Sequence, residues 1–330
     1  MEMAYGTPAP PLRPLIAHYH GYRERGAAPG LHRGLPSPFL TLIVTVDDPL
    51  VIAAHPDPAQ TPGRYDTLAG GLHTTPALVT HEGRQAGVQL ALSPLGARAL
   101  LGVPAGELSG LDVDGADLLG RAAHELHERL NAAPDWAARF AVLDELLLRR
   151  AARRGAAVPD EVRRAWQALL SGGGGVPVGE LARDVGWSTR HLGSRFAAEI
   201  GLSPKAAARV IRFDRARRLL QRRVTGGLPP RLADLAAACG YYDQAHLARE
   251  FRDLAGCPPS RWLAEESGLA EHSGLAEASG PAEASGPVEE PARRGSETSK
   301  PGPPPPAQDG WHDDNDNDTG APGLAHAARP

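Results

Sequence analysis

Cysteine is scarce: the chain of 330 residues has two, Cys239 and Cys257. Two cysteines so placed exclude a disulfide framework and a metal knuckle, and point to a reducing compartment. No stretch of about 18 uninterrupted apolar residues occurs, so no transmembrane helix is expected. The opening "MEMAYGTPAPPLRP" lacks the basic start and apolar run of a secretory signal, and the expected location is the cytoplasm. Lysine is nearly missing too. Lys205 and Lys300 stand among 35 basic residues, the rest being arginine, which a composition bias explains as well as any function does. Residues 1–110 hold no GxSxG elbow, no HExxH and no GxxxxGK[ST], so the commoner nucleophile, zinc and phosphate-loop chemistries have no carrier there. What is plentiful is glycine (38), proline (32) and hydrophobic residues at 42%, ample for two globular domains and part of a linker or tail.

The net charge of −4 conceals a segregation. Residues 1–175 carry 16 basic and 18 acidic groups, residues 176–266 carry 15 and 10, and residues 267–330 carry 4 and 11. A basic segment within an acidic chain is a candidate polyanion surface, although solvated arginines on a helical domain would give the same balance. The tail 267–330 has six-residue repeats beginning at Ser267, Ser273, Ser279 and Ser285, followed by "PGPPPP". It is expected to be disordered, because it cannot bury enough apolar surface to offset chain entropy. "DDNDNDTG" imitates a calcium loop at Asp314, Asp316 and Asp318. Thr319 takes the glycine position and Ala325 that of the closing glutamate, so the pattern is not met.

Residues 1–110 read as strand-rich. "FLTLIVTV" (39–46) and "LVIAA" (50–54) are separated by the turn "DDP", and 77–83 with 87–92 suggest a hairpin across "EGRQAG". Ser93 and Pro94 open a helical pattern. Leu119, Ala122, Ala123, Leu126 and Leu130 form one amphipathic stripe, and Trp136, Phe140, Leu143 and Leu147 a second. These stripes suit either packing on the strands of their own domain or a subunit interface. The histidines His18, His20, His32, His55, His73 and His81 are the only candidates for chemistry. His18 and His20 share a strand face, but no carboxylate or further histidine follows at ligand spacing, so no metal and no catalytic residue is assigned.

Residues 178–213 and 232–262 repeat one another. Leu181-Ala182 matches Leu235-Ala236, Gly186-Trp187 matches Gly240-Tyr241, Leu192 and Phe196 match Leu247 and Phe251, and Gly201 and Pro204 match Gly256 and Pro259. Each copy reads as a short helix, a glycine corner and a second helix. Ser188 and Asp243 serve as N-caps, and the Leu/Phe pair points back at the first helix. This order is the helix-turn-helix signature of DNA binding. The outward positions of the second helices, Thr189, Arg190, Gly193 and Ser194, then Gln244, Ala245, His246, Ala248 and Arg249, are the candidate DNA contacts, since Arg suits guanine and Gln suits adenine.

The stretches "LARDVGWSTRHLGSRFAAEIGLSPKAAARVIRFDRARRLL" (181–220) and "LAAACGYYDQAHLAREFRDLAGCPPSRW" (235–262) resemble, in order, the two helix-turn-helix units and linker helix of AraC/XylS-type bacterial transcription regulators. The resemblance covers about residues 176–265. It implies two recognition helices in successive major-groove turns on one DNA face, with base contacts at Arg190, Ser194, Gln244, Ala245 and Arg249. It also places Arg209 and Arg212 in the linker helix, for packing and salt bridges or for DNA. Pro258, Leu263, Gly193 and Ala245 depart from the family pattern, and the last two imply fewer direct base contacts. A DNA-repair adaptor sharing this unit would need a reactive cysteine in its N-terminal part, and residues 1–238 have none.

The expectation is an α+β chain. An N-terminal regulatory or dimerisation domain (1–170), strand-rich with a helical pair, precedes an all-α double helix-turn-helix domain (176–266) and an acidic tail (267–330). The expected function is sequence-specific transcription regulation. The partners are double-stranded DNA, with a small-molecule effector, RNA polymerase and a second copy of the chain as further candidates. No membrane, cofactor or metal is expected. The alternative is an enzyme whose histidine-bearing β-domain acts on a small molecule.

Overall fold

The computed structural model describes residues 2–152 and 157–265; the tail 267–330 and the calcium-like motif within it lie outside them. The N-terminal part carries ten strands in two antiparallel sheets. They are β1 (Glu2–Gly6), β2 (Ile16–Arg25), β3 (Gly30–Gly34), β4 (Leu40–Thr45), β5 (Leu50–Ala54), β6 (Gly63–Tyr65), β7 (Thr67–Gly70), β8 (Ala77–His81), β9 (Arg84–Leu92) and β10 (Asp112–Asp114). One sheet runs β1-β2-β9-β4-β7-β10, the other β3-β8-β5-β6. Period-2 alternation sets the faces. Leu40, Leu42 and Val44 are buried toward the helices, while Ile43 turns to the opposite face and joins Leu50, Ile52, Leu68 and Val79 in a small cluster drawn from both sheets.

The strands over 39–46 and 50–54 form as expected, but 77–83 and 87–92 do not make a hairpin. β8 pairs with β3 and β5, whereas β9 pairs with β2 and β4. The turn at Glu82-Gly83 moves the chain from one sheet to the other. Alternation fixes which face a residue takes, not which strand it pairs with. The nine-residue β9 finds long partners on both sides in β2 and β4, with Leu90 opposite Tyr19 and Leu42.

Ser93 caps a 3₁₀ turn at Pro94–Gly96 that leads into α1 (Ala97–Leu100), and a second 3₁₀ turn spans Ala105–Leu108. The two stripes fall on α2 (Gly115–Leu119), α3 (Arg121–Ala132) and α4 (Trp136–Ala151), the first being broken at Gly120. Leu119, Ala123, Leu126, Leu130, Leu143 and Leu147 are buried with Leu40, Leu42, Val44, Leu90 and Leu92 of the six-stranded sheet. Phe140 stacks on Tyr19, ring centres 5.8 Å apart. The stripes are therefore core of their own domain, and the subunit-interface reading loses the residues on which it rested.

The C-terminal bundle comprises α5 (Asp160–Ser171), α6 (Val178–Asp184), α7 (Thr189–Ile200), α8 (Pro204–Thr225), α9 (Leu232–Ala238) and α10 (Gln244–Ala255). It begins earlier than the repeat does. Val162, Ala165, Trp166 and Leu169 of α5 are buried, and Trp166 packs 6.1 Å from Phe196 of α7. Two cores result. The first helix-turn-helix (Leu181, Ala182, Leu192, Phe196, Ile200) belongs to one continuous cluster with the N-terminal domain. The second (Leu235, Ala236, Leu247, Phe251, Leu254, Trp262) has a cluster of its own, built on Val210, Phe213, Ala216 and Leu220 of α8.

Candidate nucleic-acid interface

Both copies fold as their residues dictate. α6 ends at a corner where Gly186 has φ +72°, and α9 ends at the matching corner, Gly240, with φ +74°. This is the left-handed region, where a Cβ is costly. Ser188 Oγ accepts the His191 N–H, and the Asp243 carboxylate accepts the His246 N–H, each capping its second helix. Ser203 caps α8, with Pro204 at its first position.

With the helices so anchored, Leu192 and Phe196, and likewise Leu247 and Phe251, are buried, which turns the opposite faces outward. Thr189, Arg190, Ser194, Gln244, Ala245 and Arg249 are exposed, and Gly193 and Ala248 are partly so. His246 differs from the others. It is half-buried, sits edge-on to Tyr241 at 5.3 Å, and its Nδ1 accepts the Tyr242 N–H at 3.3 Å, so it braces the corner.

The arginines divide into two sets. Arg209 holds Glu250 at 2.8 and 3.1 Å, Arg212 donates to the Gly174 carbonyl at 2.8 Å, and Arg217 and Arg218 share Asp214. Arg209, Arg217 and Arg218 are thus held by acids within the fold, whereas Arg212 is tied to a carbonyl alone and no carboxylate offsets its charge among the described residues. Arg190, Arg195, Arg249 and Arg252 are exposed and take part in no ion pair among the described residues. Arg195 and Arg252 were missed at the sequence level. Spacing could have found Arg252, three residues past Arg249 and hence its neighbour on the helix surface. Tyr242, 94% exposed at the second corner, was missed as well. An unpaired guanidinium can fork onto guanine or phosphate, and glutamine onto adenine.

The N-terminal domain grips this unit away from the outward faces. Arg98 of α1 makes a bidentate bond to the buried Glu199 of α7, both contacts 2.8 Å, and Ser109 Oγ donates to the Gly201 carbonyl. Gly106 lies so near the end of α7 that a Cβ would stand 2.2 Å from the Ala198 carbonyl oxygen. Farther along, Arg33 binds Glu265, and Arg218 lies over the Phe39 ring.

Three of the suspect histidines of the β-domain are hydrogen-bonded within the fold. His55 Nδ1 meets Asp112 at 2.8 Å, His73 donates to the Thr75 carbonyl, and His81 Nδ1 accepts the Gly83 N–H. Among the described residues no group of three His, Cys, Asp or Glu is placed to hold a metal ion. Both cysteines are free and buried, and burial pushes both thiols up. No helix among the described residues is long and apolar enough to cross a membrane.

Two family models match: a helix-turn-helix domain over residues 162–265 and a domain of unknown function, DUF6597, over residues 6–114. The first begins within α5, in accord with the packing of that helix. No curated protein matches the chain. Among solved structures, ToxT from Vibrio cholerae O395 is similar at 10% identity, with 75% of this chain and 96% of that chain covered and a TM-score of 0.44. Unsaturated-fatty-acid-bound ToxT from strain SCE256 is similar at 8% identity, 79% and 97% coverage and a TM-score of 0.43.

Proposed function

We propose that the chain is a DNA-binding transcription regulator of the AraC/XylS type, in which α7 and α10 read two successive major-groove segments on one face of the duplex. Arg190 and Ser194, with Thr189 at the helix start, serve the first segment; Gln244, Ala245 and Arg249 serve the second. His246 orders the corner rather than reading bases. Arg195, Arg252 and Tyr242 supply phosphate contacts at the flanks. One observation carries this reading. The arginines that stay free of ion pairs on α7 and α10 lie on their outward faces, while Arg209, Arg217 and Arg218 of the linker helix are bound to acids.

The DNA-binding domain is taken to begin at α5, near residue 160, and the preceding part is the regulatory domain. Its shared core with the first helix-turn-helix supports that role, because an effector that altered the packing around α1 and residues 105–108 would be felt at α7. RNA polymerase and a second copy of the chain remain the partners to test. Selection of binding sites by the full-length protein from a random duplex pool tests the reading. A bipartite site is expected, its halves about one helical turn apart. A protein that retains no duplex at low salt is not the regulator described.

A further inference from the structure

Beside α10 a cleft of about 540 Å³ separates the start of α6 from the N-terminal half of α8. Gly174, Lys205, Arg209, Arg212, His246 and Glu250 are among its walls. Glu250 is fully engaged by Arg209, so this pair adds little net charge. The remaining charged side chains of the wall are cationic. Lys205 is exposed and has no ion pair among the described residues. Arg212 gives Nη1 to Gly174 and lies 5.9 Å over the Tyr241 ring, while its Nε is buried without a partner. Because His246 Nδ1 accepts a backbone N–H, the neutral ring carries its proton on Nε2 and keeps a donor in hand. His246 and Glu250 immediately follow Ala245 and Arg249 on α10, so the cleft opens alongside the outward face of that helix.

We propose that this cleft seats a phosphate of the duplex backbone between the two segments read by α7 and α10, with Lys205 and Arg212 neutralising it and His246 as an added donor. The inference rests on the DNA-binding reading and adds a contact site outside the outward faces of α7 and α10. It also gives a physical role to one of the chain's two lysines. A compact ammonium on a flexible stem suits a single phosphate as a point charge, whereas the arginines of α7 and α10 suit forked contacts.

The test uses the full-length protein and the variants Lys205→Gln, Lys205→Glu and Arg249→Ala. Lys205 is exposed, so its substitution leaves the fold intact, which melting curves verify. Lys205→Gln is expected to weaken binding several-fold on every sequence alike. It should also reduce the slope of log affinity against log salt by about one, with the preference profile unchanged. Lys205→Glu is expected to do the same more strongly, whereas Arg249→Ala changes the profile. If both Lys205 variants keep wild-type affinity and slope while Arg249→Ala still alters preference, the cleft assignment is overturned and the DNA-binding reading stands. If the wild type binds no duplex, the underlying reading falls instead. Inorganic phosphate separates the sources of the anion. Millimolar phosphate that raises the melting temperature of the wild type but not of Lys205→Gln, with DNA affinity equal for the two, makes this a free-anion site and overturns the backbone assignment.

Discussion

Glu199 and Glu250 sit near the boundary between the inner and outer faces of α7 and α10. Position on the helix would leave both half-solvated, yet both are buried, one against Arg98 and the other against Arg209. They are tied to different parts of the molecule, which sets the two copies apart. The outward arginines Arg190 and Arg249, by contrast, are both exposed, and the proposed function gives them matching roles. Arg249→Ala is expected to cost about 1–3 kcal/mol at one base pair and to relax preference there. Arg190→Ala should do the same about one turn away, as read by site selection with each variant. If both weaken all sequences equally, they are phosphate clamps. A second residue-scale expectation concerns acid. Burial lowers His20 to about 4, with nearby His18 adding to the effect. Burial also lowers His32 to about 4, with His81 adding to it and Glu24 opposing. Both are neutral in the fold, and the unfolded chain binds more protons below its ordinary value of about 6.5. Stability is thus fully present above that value and is lost as pH falls toward 4. Urea midpoints measured across this window should decline, and His20→Asn with His32→Asn should flatten the decline. The outward residues, caps and corners were legible because each depends on local chemistry. The partners of Glu199 and Glu250 were not, because Arg98 is 101 residues from Glu199 and nothing local names it.

At the scale of elements, the repeat located α6, α7, α9 and α10, but it hid α5. In the second copy the place of that helix is taken by α8, where Phe213 packs on Phe251 as Trp166 packs on Phe196, and the run Gly172–Gly175 after α5 looks like a linker. In the structure Gly174 N–H returns to the Leu169 carbonyl and its own carbonyl receives Arg212, so the run is a tight helix end. A fragment of residues 176–265 therefore lacks part of its own core. Residues 158–265 should melt well above residues 176–265. In the full chain Trp166→Ala should cost about 3–5 kcal/mol, as expected for a large buried aromatic, measured by denaturant unfolding. Gly240→Val is a sharper case. The corner requires a positive φ, so the substitution should destabilise the second unit by about 1–2 kcal/mol or more, and a wild-type melting profile would be incompatible with this corner. Strand positions were legible from alternation, whereas the exchange of partners at Glu82-Gly83 was not, since either pairing buries the same faces.

For the whole molecule, the clamp between Arg98 and Glu199 joins the N-terminal domain to α7, the first reading helix of the proposed function. Arg98→Ala strands a carboxylate that is only 6% exposed, and loss of one partner from such a pair costs about 3–5 kcal/mol. The double variant with Glu199→Gln should recover much of that loss in thermal melts, and the difference measures the coupling. Single and double variants should also differ in affinity for the first half of the selected site more than for the second. Equal effects on both halves would mean that the clamp serves stability alone.

The division into two cores has one more consequence, for how operator preference can diversify. The first reader is welded into the body of the protein, so changing its inner residues disturbs everything that body holds. The second reader keeps its own interior and meets the rest through one face of α8 and a few surface contacts such as Arg33 with Glu265. It is a cassette. Residues from about 228 to 265 should be exchangeable for the corresponding unit of a related regulator, provided the α8 face of Val210, Phe213, Ala216 and Leu220 is matched. Such a chimaera should keep the first half of its site and adopt the donor's second half. The reciprocal graft of the first unit should yield insoluble protein.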